Sequence, residues 1–329
     1  MAHMIEQNMM SYKGQEPWHG LGFRVDANAT GAEMLKVAGM EWKVQRRAIA
    51  MRPGNGDRTV MLTSQLDGYR AIVRSDNDEV FQVASDRYQP VQNAEIVEFF
   101  REYCEAGHAS IETVGALRGG AVVWALAKLN GSTSVNIGGV DPVSGYMLLA
   151  TSHDGSLKTI GQPTQVRVVC HNTLTAALGT KDEHTFSLRH SSKFDAARKD
   201  EAKRVMGMAI EQIQRTNDLS EQLANVAISH DDWMDYMSRL MGDGLLDPKT
   251  AELSKTAQAI QDATISSPGS GLASARGTLW GAVNGVTWFA DHAARSRSDS
   301  NRLFSAWFGS NAGLKESAMR VAVEMAAVR

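Results

Sequence analysis

The sequence predicts an α+β protein in which an antiparallel sheet precedes a helical C-terminal half. Two observations lead to this class. Residues 93–178 read as an α-β-β-β-α core, and from residue 191 the apolar pattern is helical nearly to the end. We therefore expect an α+β sheet domain with an N-terminal arm at 1–190. A helical region follows at 191–329, with a linker-like stretch at 264–272.

The elements before the core read as paired strands. Residues 42–51 and 58–63 flank a glycine-rich turn and predict one hairpin, and residues 69–85 predict a second. The core then opens with a helix, because apolar residues recur at positions 96, 97, 100, 103 and 104. Asn93 is its expected cap, and Gly107 its expected end.

The strands of the core follow this helix. A third hairpin at 109–129 leads into a glycine-rich loop at 130–145. Strands at 146–152 and 164–170 come next, joined through a turn at "HDGS".

The stretch "RVVCHNTLTAAL" then places Cys170, His171 and Asn172 side by side. Consecutive residues point in different directions in a helix or a strand, so these three side chains cannot converge as a catalytic triad. We expect instead a short helix, capped by Asn172 and ended by Gly179.

The helical half is expected to begin with a long helix near Ser191, followed by helices at 231–241 and 249–263. Three glycines spaced four residues apart then leave a smooth face for close helix packing: Gly277, Gly281 and Gly285. Trp307 and Phe308 read as core or subunit contacts.

Composition narrows the class of protein. The net charge of −3 argues against a protein that coats nucleic acid through its overall charge, although a local basic groove remains compatible with it. The N-terminal residues lack the basic start and apolar core of a signal peptide, and no long apolar run is present, so we expect a cytoplasmic protein. Phosphate-loop, dinucleotide and zinc-ligand spacings are absent from the sequence. We expect no cofactor, with a divalent metal left open.

Basic and aromatic residues are interleaved in the first two-thirds of the chain. Such a mixture suits single-stranded nucleic acid, because bases stack on aromatic rings while cations neutralise phosphates. The residues expected to contact phosphates are Arg46, Arg52, Arg118, Lys128, Lys158, Arg167, Arg189 and Lys193. Those expected to stack on or separate bases are Tyr69, Tyr88 and Trp18.

Four stretches of the sequence resemble one family. They are "PWHGLG", "RVVCHNTL", "GTLWGAVNGVTWFADH" and "NRLFSAWFGSNAGLKESA". Together they are similar to the phage/plasmid-like protein family, a domain of unknown function. The resemblance implies a cytoplasmic protein carried by a phage or another mobile element, and it brings no assigned reaction or catalytic residues.

The α-β-β-β-α order is also similar to the core of the single-strand annealing superfamily, which includes the Rad, RecT and Erf-type proteins. That likeness implies a ring or filament of identical subunits that holds single-stranded DNA by its backbone. The leading hypothesis is thus a non-enzymatic, oligomeric single-strand annealing protein. Two alternatives stay open: a nucleic-acid or nucleotide hydrolase using His19, His153 or His171, and an inhibitor that binds a host defence protein.

Overall fold

A computed structural model describes residues 9–14, 22–51, 64–131, 133–169, 172–175, 186–188 and 196–328. In chain order the strands are β1 (Met10–Tyr12), β2 (Phe23–Arg24), β3 (Val44–Arg47), β4 (Ala50–Met51), β5 (Ser64–Gln65), β6 (Tyr69–Arg74), β7 (Val80–Ser85), β8 (Ala109–Leu117), β9 (Val122–Leu129), β10 (Val135–Ile137), β11 (Asp141–Ser152), β12 (Thr159–Arg167), β13 (Asn172–Thr175) and β14 (Phe186–Leu188). The α-helices are α1 (Gly31–Val37), α2 (Asn93–Glu105), α3 (Ala196–Ala224), α4 (His230–Met241), α5 (Lys255–Ser266), α6 (Leu279–Trp288), α7 (Asp299–Phe308) and α8 (Ser310–Ala326). The α+β class with a helical C-terminal half is confirmed.

The strands form one large and two small sheets. In the described residues the large sheet runs β13-β12-β11-β9-β8-β1-β2, with β10 paired to β11 and β14 to β12. All its neighbours are antiparallel except β1 and β2. A three-stranded sheet, β3-β6-β7, and a pair, β4-β5, complete the strands.

Side chains of the central strands point alternately to the two faces of the large sheet, and both faces are buried. On one face, side chains such as Val123 and Met147 pack with α1, α2 and α3. On the other face, Trp124 and Leu148 pack with α7, whose Leu303 is buried between them. Trp307 stacks edge-on against Trp124, with ring centroids 4.8 Å apart, and so contacts the core.

The hydrophobic clusters cross the boundary expected at residue 190. Ile213 of α3 belongs to the cluster beneath the sheet, and Ile137 and Val143 of the sheet belong to the cluster formed by the C-terminal helices. The linker-like stretch is also in contact with the sheet, since the Gly269 carbonyl accepts a hydrogen bond from Arg167. The division at residue 190 itself stays a prediction.

The helix at the start of the core is confirmed, but its cap is not Asn93. The chain enters α2 at Gln92, whose backbone N–H donates to the Glu95 carboxylate at 2.7 Å. Asn93 lies inside the first turn and is buried. Its amide donates to the backbone carbonyls of Met40 and Trp42. Asn93 therefore ties the start of α2 to the segment between α1 and β3 instead of capping a helix.

Two predictions for the core are wrong, one of a loop and one of a helix. The stretch at 130–145 contains β10 and the start of β11, which pair with each other. Asn172–Thr175 forms a strand that pairs with β12, in place of the expected helix. The backbone groups of β12 require partners at this edge of the sheet, and β13 supplies them. The predicted α-β-β-β-α order is therefore not confirmed; Gly179 lies outside the described residues.

The hairpins are confirmed at 69–85, where β6 pairs with β7, and at 109–129, where β8 pairs with β9. The hairpin expected at 42–63 differs, because β3 pairs with β6. Residues 52–63 of that prediction lie outside the described part of the chain. In that described part, every helix is too short or too polar to cross a lipid bilayer.

The smooth glycine face on α6 is confirmed at Gly285. A Cβ atom there would lie 2.0 Å from Thr264 Oγ1 and 2.9 Å from Thr264 Cα, so α5 and α6 approach each other only because the side chain is a hydrogen. We expect Gly285→Ala to lower the free energy of unfolding by about 1–3 kcal/mol through overpacking. Urea denaturation measures the change.

The matched control is Gly313→Ala on α8, where an added Cβ would meet nothing within 4 Å. Alanine is the better helix former, so this variant should be more stable than the wild type by about 0.5–1 kcal/mol. Equal effects of the two substitutions would contradict the close packing of α5 on α6.

Candidate nucleic-acid interface

The three-stranded sheet exposes one of its faces. Directly opposed residues share a face, and neighbours along a strand alternate between faces. Arg46 opposes Ile72, whereas Arg47 opposes Ala71, which opposes Val83. Tyr69 is two residues before Ala71 on the same strand and therefore lies on the same face as Ala71. Tyr69 and Arg46 thus lie on opposite faces. Of the two neighbouring arginines, Arg47 therefore lies on the Tyr69 face and Arg46, an expected phosphate contact, on the other.

We name the face that carries Tyr69 the small-sheet face; it carries Gln45, Arg47, Tyr69, Val83 and Ser85, together with Ala71 and the buried Val73 of the central strand. Tyr69 is 49% exposed and Val83 55% exposed, so an aromatic ring and a branched apolar side chain lie open to solvent together. The Arg47 guanidinium donates to the Gln45 amide oxygen and pairs with Asp78 at 2.7 Å. It is therefore held toward the β6–β7 turn, at the end of the small sheet away from Tyr69.

Further guanidiniums lie at the Tyr69 end of this sheet. Arg46, which is exposed, donates to the backbone carbonyl of Asp86, and Arg70 donates to that of Tyr69 at 2.7 Å. Both cations bond a neutral oxygen here, so their charge is not cancelled by that partner. Arg87 follows β7 directly and is exposed.

Tyr88 joins this end of the small sheet to the large sheet. Its hydroxyl donates to the Ser152 carbonyl at 3.0 Å, and Gln82 donates to the His153 carbonyl at 2.8 Å. Burial raises the pKa of the Tyr88 phenol, and nearby Asp154 raises it further. Tyr88 thus connects the two sheets, and its largely buried ring is a poorer candidate for stacking on a base than an exposed ring is. Lys158 is exposed on the same β11–β12 turn.

Lys128 lies on the large sheet, apart from these residues. Its ammonium is 4.0 Å from the Glu112 carboxylate, and its side chain is 36% exposed. Glu112 also accepts a hydrogen bond from the Tyr146 hydroxyl at 2.8 Å, and burial raises the pKa of that phenol. The Lys128 charge is therefore partly balanced.

Arg118 packs against α7. Its backbone N–H donates to Ser300 Oγ, its Nε donates to Asn301, and its guanidinium carbon lies 3.7 Å from the centre of the Phe304 ring. The backbone φ of 55° is in the left-handed region, which non-glycine residues seldom adopt. These contacts hold the β8–β9 turn onto α7, so Arg118 contributes to packing.

Arg167 is buried and does not extend a basic surface. Its Nε lies 2.9 and 2.8 Å from the two Asp141 carboxylate oxygens, and the side chains of the pair are only 2% and 0% exposed. Asp141 also accepts from the Trp280 indole at 2.9 Å. The sequence prediction was wrong because Asp141, 26 residues earlier in the chain, neutralises Arg167 across β11 and β12.

His153, the described histidine of the hydrolase hypothesis, is fully buried. Its ring packs against Trp42 and Phe81, with centroids 5.6 and 5.5 Å away, and its Nε2 lies 3.2 Å from the Asn93 amide oxygen. In this arrangement the ring is closed off from substrate. Within the described residues, no three His, Cys, Asp or Glu side chains gather as a metal site requires.

Several expected site residues lie outside the described part of the chain. They are Trp18, Arg52, Arg189 and Lys193, together with His19 and His171 of the hydrolase hypothesis. Sequence reasoning also missed Arg47 and Val83. Strand parity could have found them, had β6 been recognised as the partner of β3.

Three of the four stretches that carry the family resemblance meet in a buried cluster that the sequence did not predict. Lys315 on α8 donates to Asp291 Oδ1 at 2.7 Å and to the Thr173 carbonyl at 2.7 Å. Asp291 Oδ2 accepts from the Thr173 backbone N–H and hydroxyl at 2.7 and 3.1 Å. Asp291 lies in a π-helical turn, Phe289–Ala293, that continues α6. The cluster therefore joins β13, this turn and α8.

Comparison with known proteins identifies the family. The model of the family described as Domain of unknown function (DUF932) matches residues 80–307, more than half of the chain. Strands β3 and β6, which carry Arg47 and Tyr69, precede this range. Of the two buried ion pairs, Asp141 and Arg167 both lie within the range, whereas Asp291 lies within it and its partner Lys315 lies beyond it. None of the curated proteins and none of the solved structures compared with the chain matches it. The chain belongs to the DUF932 family of domains of unknown function.

Proposed function

We propose that the protein binds single-stranded DNA on the small-sheet face and acts as an oligomeric, non-enzymatic annealing protein of a phage or plasmid. The observation that carries the proposal is the half-exposed Tyr69 ring, diagonal to the exposed Val83 across β6 and β7, with Arg46 and Arg70 bonded to backbone carbonyls at the same end of the sheet. Bases stack on such a surface whatever their identity, because every base has a π face. If the surface contacts the faces of the bases and not their edges, the edges stay available for pairing with a complementary strand.

Phosphates would contact the cations at the Tyr69 end of the sheet. Arg46 and Arg70 bond backbone carbonyls there, and Arg87 follows directly. Lys158 extends the same edge from the β11–β12 turn, which Tyr88 ties to this sheet. The described residues thus support a short site with bases on one face and phosphates around its end. Arg118 and Arg167 have no part in it.

The family resemblance supports the same proposal, since mobile elements commonly carry annealing proteins. The buried position of His153 speaks against a hydrolase that uses this histidine.

Replacing the stacking ring tests the proposal. Tyr69→Ala is expected to weaken binding of a labelled single-stranded oligonucleotide by about 1–3 kcal/mol, because one base loses its aromatic partner. Tyr69→Phe should bind like the wild type, since the ring is kept. Fluorescence anisotropy at low salt measures the dissociation constants.

The matched control is Phe23→Ala, which removes a similarly exposed ring, at 45%, from the far edge of the large sheet. It should leave the affinity unchanged. A Tyr69→Ala variant that binds like the wild type would remove the small-sheet face as the interface.

A further inference from the structure

A small internal cavity lies where the large sheet meets α6. Strands β11 and β12 form one wall, which includes Gln165, and α6 forms the other with Trp280, Val283, Asn284 and Thr287. All the residues that line it are buried. The cavity has a volume of about 10 Å³, which is room for one water molecule. We name it the Gln165 cavity.

The amide nitrogen of Gln165 is directed at α3. It donates to Asn217 Oδ1 and, at 3.4 Å, to the Ile213 carbonyl. A carbonyl oxygen only accepts hydrogen bonds, so the amide group cannot be turned round. Asn217 donates through its own nitrogen to the Thr133 carbonyl, which makes its Oδ1 the acceptor for Gln165. The orientation of the Gln165 side chain is therefore determined by its partners.

The amide oxygen of Gln165 needs a donor. It is buried, and among the described residues no hydrogen-bond donor lies within reach of it. Two donors that line the same cavity, Trp280 Nε1 and Arg167 Nε, are directed at Asp141 instead. Folded proteins seldom leave a buried carbonyl oxygen unpaired, and an internal water is a common partner for one.

Polar side chains of α6 complete the surroundings that an internal water requires, since such a water makes about three hydrogen bonds. The Thr287 hydroxyl donates to the Asn284 carbonyl at 3.0 Å, and the Asn284 amide donates to the Trp280 carbonyl at 2.8 Å. Both side chains thus direct a donor along their own helix, and both also carry an oxygen that accepts hydrogen bonds. One water can therefore donate to Gln165 with one proton and to α6 with the other.

We propose that the Gln165 cavity is a binding site for a single internal water, which donates to Gln165 Oε1 and to a side-chain oxygen of α6. The water joins β12 to α6 beside the buried pair of Asp141 and Arg167. Through the Gln165 amide it is also connected to α3. The proposal is independent of DNA binding, because none of the residues of the small-sheet face lines this cavity.

Val283→Ile tests the site, because it adds one carbon to the wall of the cavity and displaces the water. Magnetic relaxation dispersion of the solvent counts long-lived internal waters, and the variant should hold one fewer than the wild type. The matched control is Val286→Ile, which adds the same carbon at a buried position of α6 outside the cavity lining. It should keep the number found in the wild type.

Urea denaturation gives a second readout. Val283→Ile should lower the folding equilibrium constant about tenfold, because the Gln165 oxygen loses its donor. In a Gln165→Met background, which lacks that oxygen, the same substitution should lower the constant by less than about twofold. Equal effects in the two backgrounds, or equal numbers of long-lived waters in Val283→Ile and the wild type, would each overturn the proposal.

Discussion

Replacing Arg167 with Met is expected to lower the free energy of unfolding by about 3–5 kcal/mol, because it leaves a buried carboxylate without its cation. Asp141 is completely buried, and three donors converge on it besides the Arg167 Nε: Arg167 Nη2, the Trp280 indole and the Ser274 hydroxyl. The two neutral donors cannot neutralise the charge. The carboxylate is then left without a countercharge at the buried junction of the sheet with α6, which destabilises the fold.

Urea denaturation of Arg167→Met and of a matched control measures this effect. Lys128→Met removes a cation from the neighbouring strand β9, where the ammonium lies 4.0 Å from Glu112 and the pair is exposed by about a third. Surface pairs contribute about 0–1 kcal/mol, so the control should lose no more than that. Similar losses in the two variants would contradict the assignment of Arg167 to a buried structural pair.

The second large effect is expected for Lys315→Met, again at about 3–5 kcal/mol. The Lys315 side chain is 1% exposed and that of Asp291 3% exposed, so neither charge has access to solvent. The ammonium donates to Asp291, to the Thr173 carbonyl and to the Thr173 hydroxyl, which uses its three protons. Methionine retains most of the side-chain volume but leaves Asp291 and the Thr173 carbonyl without this donor.

The control for Lys315 lies on the same helix. Arg320 pairs with Glu324 at 2.9 Å, one turn along α8, with both side chains more than half exposed. Arg320→Met should cost about 0.5 kcal/mol or less, as expected for a surface pair at this spacing. If Lys315→Met unfolds at the same urea concentration as Arg320→Met, the cluster does not hold β13 to α8.

The regular patterns of the sequence predicted the local structure well where neighbours in sequence decide it. The apolar stripe of α2 and the alternation in the hairpins at 69–85 and 109–129 appear as expected. These elements bury a face that is visible within a single window of residues. The capping residue failed because Asn93 has distant partners, Met40 and Trp42, and the sequence around it gives no sign of them.

Tertiary pairing overrode local signals at the edge of the large sheet. Asn172 suggests a helix start, yet Asn172–Thr175 pairs with β12. A free sheet edge carries unpaired N–H and C=O groups, and satisfying them outweighs a local capping preference. No window shorter than the whole core contains that information.

The candidate site was predicted by residue type more than by position. The sequence shows the arginines and tyrosines, but a lone sequence does not show which cations are already neutralised. Arg167 is separated from Asp141 by 26 residues, and Arg118 from Asn301 by 183, so their partners were invisible. Arg47 and Tyr69 share a face because β3 pairs with β6 and not with β4 or β5, the strands that lie between them in the chain.

The motifs behind the family resemblance are explained largely by architecture. Arg167 and Trp280 meet at Asp141, and Thr173 and Lys315 meet at Asp291. Each of these four residues lies in one of the resembling stretches, and each holds an element of the sheet to the C-terminal helices. Their role in stability accounts for their types without any chemistry on a substrate.

The salt dependence of DNA binding tests the central claim most directly. We would titrate the wild-type chain with a labelled single-stranded oligonucleotide over a salt series, with the same sequence as duplex for comparison. We predict preferential single-strand binding, with log affinity falling linearly with log salt at a slope that reports a few neutralised phosphates. Absence of single-strand binding at low salt, or equal affinity for duplex, would contradict it.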